Sequence, residues 1–455
     1  MTEGQPAKLR LAIVGAGPAG IYAADILLKA ERAFDVSIDL FDRLPAPYGL
    51  VRYGVAPDHP RIKGIITALR EVLDRGQIRV FGNVDLGRDL TIDDLKRHYH
   101  AVIFATGAIE DAPLDIPGIE LEGSYGAADF VNWYDAHPDV PTTWPLTEQS
   151  VAVIGNGNVA LDVARMLAKH ADDLLPTEIP ANVYEGLKAS KITDVHVFGR
   201  RGPAQVKFTP LELRELGEVP DVDIVLDEDD FGRDPEAEEL AKTNKQLLVI
   251  SRILNSWRER PEGTASRRIH LHWYSKPVEV LGEDGRVVAL RVERTEPDGE
   301  GGVRGTGEQR EFPIGQLYRA VGYFGSPIEG VPFDERRGVI PNREGCVIDD
   351  ENEQIPGMYT TGWIKRGPIG LIGHTKSDAM ETIQHVINGQ ANWWHPEAPE
   401  ESAIDELLAS RGIRATDLDG WHRLDAHEIA LGEPEGRARI KVQDREAMVR
   451  ISRGE

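Results

Sequence analysis

Leu9–Val14 reads LRLAIV, and Gly15-Ala16-Gly17-Pro18-Ala19-Gly20 follows it directly. A short apolar run, then G-x-G-x-x-G, then a helical pattern over Ile21–Ala30 is the order in which a dinucleotide-binding βα turn is built. Each glycine answers a physical demand. Gly15 allows the tight turn, Gly17 lets backbone approach a pyrophosphate, and Gly20 lets helix and strand pack closely. The helix N-terminus then presents unpaired N–H groups to the phosphates. Val36–Phe41 supplies the next strand candidate, and Asp42 ends it, where an acid commonly binds a ribose hydroxyl. The alternative is a purely structural turn.

Further along, the pattern restarts. Ala101–Ala105 (AVIFA) is a strand candidate ending in Thr106-Gly107. Val151–Ile154 (VAVI) then precedes Gly155-Asn156-Gly157-Asn158-Val159-Ala160, the amphipathic run Leu161–Leu167 and the strand candidate Val195–Phe198. The spacing from Gly15 to Gly155 is too long for a solenoid repeat and suits two copies of one nucleotide-binding unit. The second copy ends differently, in Gly199-Arg200-Arg201-Gly202. An acid there would repel a 2′-phosphate, whereas two guanidiniums can hold it by bidentate, charge-assisted bonds. One acid-tipped and one arginine-tipped site predict FAD plus NADP, in a three-layer α/β fold with two Rossmann-like units. The competing reading of the arginines is an exposed basic turn.

Composition narrows the class. At roughly 100–200 residues per domain, 455 residues predict two or three domains. With 52 basic against 76 acidic residues the net charge is −24, which excludes a general nucleic-acid binder. The single Cys346 excludes an intrachain disulfide, a dithiol redox centre and a cysteine-ligated iron–sulfur cluster. No run approaches a membrane span and the N-terminus lacks a signal-peptide pattern, so a cytoplasmic chain is expected. Two prolines and little apolar pattern mark Asp139–Gln149 as a boundary region. Asp227–Asp230, with Asp234–Glu239, reads as a solvated surface. Glu296–Glu311 reads as the tip of a hairpin pairing Val287–Arg294 with Glu311–Ile314. The tail from Trp393 is polar, with one helical segment, Ala403–Ala409. His98-Tyr99-His100 and His270-Leu271-His272 each place two rings on one face of a strand, as ordinary structural histidines. No metal site is expected.

More specific segments carry a resemblance. Leu50–Pro60 (LVRYGVAPDHP), Gly155–Arg165 (GNGNVALDVAR), Gly199–Pro203 (GRRGP), Thr209–Glu215 (TPLELRE) and Gly362–Gly370 (GWIKRGPIG) occur in order between residue 9 and about 385. Together they resemble the adrenodoxin reductase-like ferredoxin–NADP reductases, including their actinobacterial members. The resemblance implies a discontinuous FAD-binding domain, residues 1–107 and 328–455, with an NADP-binding domain, 108–327, inserted between. It implies that Gly15, Gly17, Ala19, Gly20, Asp42, Leu50, Val84, Gly107, Trp363, Gly370, Leu371 and Ile372 line FAD. Asn156, Gly157, Asn158, Val159, Arg200, Arg201 and Glu212 would hold NADP.

By the same resemblance His59, Asp162 and Glu215 lie near the flavin–nicotinamide contact and tune protonation by hydrogen bonding. The plainer readings are a loop-fixing histidine and helix-surface carboxylates. The implied activity is NADPH:ferredoxin oxidoreduction, a hydride passing from NADPH to FAD N5 and single electrons to an iron–sulfur ferredoxin. Relatives often carry Glu where Asp42 stands. Some also carry an arginine shortly after the Ala105-Thr106-Gly107 turn, where this chain has Glu110-Asp111-Ala112, leaving pyridine-nucleotide selectivity to Arg200 and Arg201. Because ferredoxins and this chain are both acidic, docking needs a local basic patch. Lys365 and Arg366, Lys207 and Arg214, and Lys242, Lys245, Arg252, Arg258 and Arg260 are the candidates, on a monomer. The competing functions are an NADPH-dependent flavoprotein with another acceptor and a nucleotide-sensing binding protein.

Overall fold

The computed structural model describes residues 8–261, 263–368 and 372–455. Gly370 and Leu371, both expected at the flavin, lie outside the described residues, as does the side chain of Ile372. Two compact units emerge: Met1–Glu110 with Asp135–Asp139 and Tyr323–Glu455, and Asp111–Tyr134 with Val140–Gly322.

The chain begins in the first unit with β1 (Lys8–Val14), α1 (Pro18–Lys29), β2 (Asp35–Phe41), β3 (Ile78–Phe81) and β4 (Ala101–Phe104). It then builds the second unit. There it forms β5 (Ser124–Gly126), β6 (Ser150–Ile154), α2 (Asn158–Ala168), β7 (Asp194–Phe198), α3 (Pro210–Leu216), β8 (Val222–Leu226) and β9 (Arg267–His272). Long strands follow: β10 (Ser275–Glu283), β11 (Arg286–Pro297), β12 (Val303–Pro313), then β13 (Gln316–Arg319). The return to the first unit adds β14 (Asn342–Arg343), β15 (Cys346–Ile348), β16 (Gln354–Thr360) and α4 (Ile372–Asn388). Three helices close it: α5 (Glu401–Ser410), α6 (Leu418–Gly432) and α7 (Arg445–Arg453).

In the first unit the sheet order is β14-β15-β16-β4-β1-β2-β3, and β16 through β3 run parallel. Parallel strands are buried on both faces, and β1 shows why LRLAIV has no polar alternation. Leu9, Leu11 and Ile13 face one core with Leu27 of α1 and Ile383 of α4. Ala12 and Val14 face a second core with Leu95, Ile404 and Leu408. Helices therefore cover both faces, giving three layers. The second unit carries its own parallel sheet, β5-β13-β6-β7-β9-β8, and a separate antiparallel sheet, β10-β11-β12.

Both parallel sheets share a connection pattern. The chain steps one way from β1 to β2 and β3, then returns to β4 on the other flank of β1. Likewise β7 flanks β6 on one side and β13 on the other. Each sheet thus has a switch point, β1/β4 and β6/β13, where ligands bind beyond the strand ends.

The hairpin pairs as expected, with Leu290 opposite Phe312 and Arg291 opposite Glu311, but its tip is far shorter than 296–311. The strands continue to Pro297 opposite Val303, because the alternation carries the ladder outward and only 298–302 turn. Three other expectations need correction. Asp230 is not solvated: it is 1% exposed, pairs with Arg294 at 2.5 Å and accepts the Trp273 N–H at 2.8 Å. The tail holds three helices rather than one, with Trp421, Leu424 and Met448 in the core of the first unit. His98-Tyr99-His100 is not a strand, because His98 ends the helix Ile92–His98 and β4 starts only at Ala101. His270 and His272 do share a face of β9, their ring planes within 2°.

Candidate functional site

At the end of β1 Gly15 adopts φ +111, and a Cβ there would lie 2.3 Å from the Ala105 carbonyl oxygen. Its N–H donates to Phe41 O at 2.8 Å, and Ala105 N–H donates to Val14 O at 2.8 Å. The turn is therefore seated between the ends of β2 and β4. A Cβ on Gly20 would meet Gly15 O at 2.0 Å, so α1 lies against the turn itself. Gly17 caps α1, which has no side-chain cap and no acid in its first turn. Its N-terminal N–H groups thus face outward with the helix's positive end.

Other segments converge on this edge. Gly49, with φ +50, brings its backbone so close that a Cβ would lie 3.2 Å from Gly17 Cα, and Tyr48 N–H donates to Ala16 O at 2.8 Å. Gly362, with φ +78, lies so close to α1 that a Cβ would clash with the Ala19 side chain at 2.6 Å. It opens the short helix Trp363–Arg366, and its N–H donates to Asp378 at 2.6 Å. Gly107 turns at φ +76 with open space where a side chain would go. Leu50 starts the short helix Leu50–Tyr53, and buried Val84 donates its N–H to Asp42 O at 2.9 Å.

Asp42 does more than end β2. Its carboxylate accepts Ala16 N–H at 2.8 Å and Leu44 N–H at 2.9 Å, bracing the glycine turn from below. Burial raises its pKa above the ordinary carboxylate value. Thr106 adds a buried hydroxyl that lacks a hydrogen-bond partner among the described residues. The open helix end, the cradles a Cβ would fill and this orphaned hydroxyl fit a dinucleotide pyrophosphate.

The second turn repeats the first. Gly155 has φ +154, and its Cβ would lie 2.2 Å from Ala320 O. Its N–H donates to Phe198 O at 3.0 Å, while Ala320 N–H donates to Ile154 O at 2.8 Å. Gly157 caps α2, again without a side-chain cap or an acid in the first turn. Asn158 Oδ1 accepts Thr209 N–H at 2.8 Å and Asn156 O accepts Lys207 N–H at 2.9 Å. Val159 is half-buried on the first turn of α2. At the tip of β7 Arg200 is exposed and Arg201 half-buried, with Arg201 Nε orphaned among the described residues. An unpaired guanidinium N–H beside an uncapped helix end fits a phosphate-bearing ribose.

The three expected proton-tuning residues divide between the units. His59 lies buried in the first, capping the short helix Pro60–Lys63, with its N–H on Ala56 O at 3.0 Å. Asp162 and Glu215 belong to α2 and α3 of the second. Arg165, buried in α2, gathers acids there: Nη2 is 2.8 Å from Asp162 and Nη1 is 3.8 Å from Glu212. The available signal for Arg165 was its i, i+3 spacing from Asp162 on an otherwise apolar helix. Tyr48-Gly49 and Asp378 also escaped the sequence reading, because their partners come from distant segments.

Of the cations expected to dock a partner, Lys365 is unsuitable. It is buried and held by Asp378 at 3.0 Å and Glu381 at 2.5 Å. Arg366 is half-buried, 3.6 Å from Asp378. Lys207, Arg214, Lys242, Lys245, Arg252, Arg258 and Arg260 are exposed; Lys242 pairs with Glu239 and Arg258 with Glu228.

Two glycine turns at the switch points of two parallel sheets, one acid-tipped and one arginine-tipped, define a two-dinucleotide oxidoreductase. The pyridine nucleotide-disulphide oxidoreductase family model matches residues 9–201. NADPH-ferredoxin reductase FprA of Mycobacterium tuberculosis is 40% identical over 460 residues, covering 98% of this chain and 99% of the relative. Human mitochondrial NADPH:adrenodoxin oxidoreductase is 38% identical, covering 97% and 91%. The structure of Mycobacterium tuberculosis FprA in complex with NADPH matches with a TM-score of 0.90 at 38% identity, covering 98% of this chain and all of that one. The chain belongs to the family of NADPH–ferredoxin and adrenodoxin reductases. No helix of the described residues is long and apolar enough to cross a membrane.

Proposed function

We propose that this chain is an FAD-dependent NADPH:ferredoxin oxidoreductase. One observation carries the reading: Gly15 and Gly155 are seated alike at two switch points, yet the adjoining strands end in Asp42 and in Arg200-Arg201. The first unit is the FAD binder and the second the NADP binder. Held by the first unit, FAD would supply the redox chemistry that links two-electron hydride donation by NADPH to one-electron reduction of an iron–sulfur protein.

The chain's own residues bind and orient. The N-termini of α1 and α2 take the pyrophosphates, and Asp42 holds the first turn in shape while offering its remaining lone pairs to the ribose. Arg200 and Arg201 hold the 2′-phosphate. Asp378 fixes the Gly362–Trp363 turn against α1. Arg165 holds Asp162 and Glu212 in place. His59 and Glu215 tune protonation by hydrogen bonding rather than acting as obligatory acid and base. The partner is a ferredoxin that docks on exposed cations of the second unit, and the enzyme works as a cytoplasmic monomer.

An anaerobic visible spectrum tests the reading. The purified protein should be yellow, with a band near ~450 nm that bleaches on adding one equivalent of NADPH. A colourless protein that takes up no FAD on reconstitution would overturn it.

A further inference from the structure

Three consecutive carbonyls at the tip of β7 are turned into the protein. Gly199 O accepts Ser275 N–H at 3.0 Å, Arg200 O accepts the Thr295 hydroxyl at 2.7 Å, and Arg201 O accepts Tyr274 N–H at 3.2 Å. The donors come from the junction of β9 with β10 and from the far end of β11. Two elements remote in sequence thus grip one short loop. Thr295 N–H also donates to Tyr274 O at 2.9 Å, tying the two grips together.

The grip is itself held. Tyr274 takes φ +49, a left-handed conformation that a bulky residue keeps only under constraint. Its ring fills the space beside Gly202, where a Cβ would lie 2.1 Å from the phenol oxygen. The neighbouring Trp273 is pinned at both backbone groups, its N–H by Asp230 at 2.8 Å and its carbonyl by Arg294 at 3.1 Å. Thr295 has no exposed surface, and its hydroxyl donates to this loop rather than to solvent.

A carbonyl oxygen carries partial negative charge and would repel a phosphate it faced. With three of them turned inward, the backbone adds no repulsion at this tip, and an anion meets the arginine side chains together with Asp298, the acid that acts on Arg201. How well a guanidinium fork fits a phosphate depends on geometry, and the backbone it springs from sets that geometry. We infer that Thr295, with the Tyr274 turn it holds, is a positioning residue that sets selectivity for a 2′-phosphorylated adenosine over an unphosphorylated one. The inference rests on the proposed role of Arg200 and Arg201.

The test uses the full-length protein with its flavin and two probes, 2′,5′-ADP and 5′-AMP, titrated by calorimetry. The ratio of their dissociation constants reads recognition of the 2′-phosphate without any redox step. Thr295→Val keeps the shape and removes the hydroxyl; it should shrink the preference for 2′,5′-ADP about threefold to tenfold and leave 5′-AMP binding unchanged. Thr295→Ser keeps the hydroxyl and should restore the preference. Arg200→Ala with Arg201→Ala should shrink it by about tenfold or more. A preference lost with the arginines but untouched by Thr295→Val overturns the positioning role alone. One that moves with neither overturns the arginine reading and this inference with it. A loss in Thr295→Val that serine does not restore is a packing effect and also overturns it.

Discussion

Gly20 and Asp42 act on the same few backbone atoms from opposite sides. The helix presses on the turn through Gly20, whose Cβ would stand 2.0 Å from Gly15 O. Asp42 holds the turn from below through Ala16 N–H. That gap is far inside van der Waals contact, and the obstacle is backbone, which does not step aside. Gly20→Ala should therefore cost about 1–3 kcal/mol through overpacking, visible as a lower thermal midpoint and as flavin lost on gel filtration. An alanine variant that keeps both its flavin and its midpoint would show that α1 can lift off the turn freely. Gly20 was legible in the sequence because the demand on it, from Gly15 O, is made within a few residues. Tyr48-Gly49, Arg165 and Asp378 were not, since the groups they brace stand elsewhere in the chain.

Neighbouring strands create a different dependence. Across β7 and β9, His196 Nδ1 and His272 Nε2 stand 3.0 Å apart, and the His196 ring stacks on His270, which Asp194 holds at 2.9 Å. Burial, then the adjoining imidazoles, push His196 down to about 4 and His272 down to about 3. Both rings are therefore neutral in the folded sheet well below the ordinary histidine value of about 6.5. As pH falls below that value, the unfolded chain takes up protons that the folded sheet refuses, so stability declines down to about pH 4. The denaturant midpoint of the wild type should drop between pH 7 and pH 5, and His272→Phe should flatten that drop. An equal drop in both proteins would remove these rings as its cause. Strand and helix periodicity made β1, β6 and β7 readable, and the hairpin of β11 and β12 as well. The three tail helices were harder. Asp425 and Glu428 look like solvated acids, because their arginine partners lie in other segments. Asp230 deceived for the same reason, its Arg294 being part of a distant strand.

At the scale of the whole molecule, the tail belongs to the core of the first unit. Glu428 of α6 meets Arg52 at 2.6 Å with both side chains buried, and Lys441 reaches Asp135 at 3.3 Å. Removing one partner of a buried pair strands the other charge away from water, at about 3–5 kcal/mol. Glu428→Gln should therefore lower the thermal midpoint of the first unit and weaken flavin retention, while the second unit's unfolding stays put. A midpoint equal to the wild type would mean that Arg52 finds another partner. Local pattern carries no trace of such long-range closure, and the first sheet shows how far it extends. β4 and β16 are hydrogen-bonded neighbours, yet Phe104 and Thr360 stand 256 positions apart. A ribosome adding about 5–20 residues per second delivers β16 on the order of 13–50 s after β4. During that interval β4 waits with one flank unpaired while the whole second unit emerges from the exit tunnel. Translation thereby inverts the order of the chain: the unit begun second is the one free to finish first, and the unit begun first closes only around its late-arriving strand.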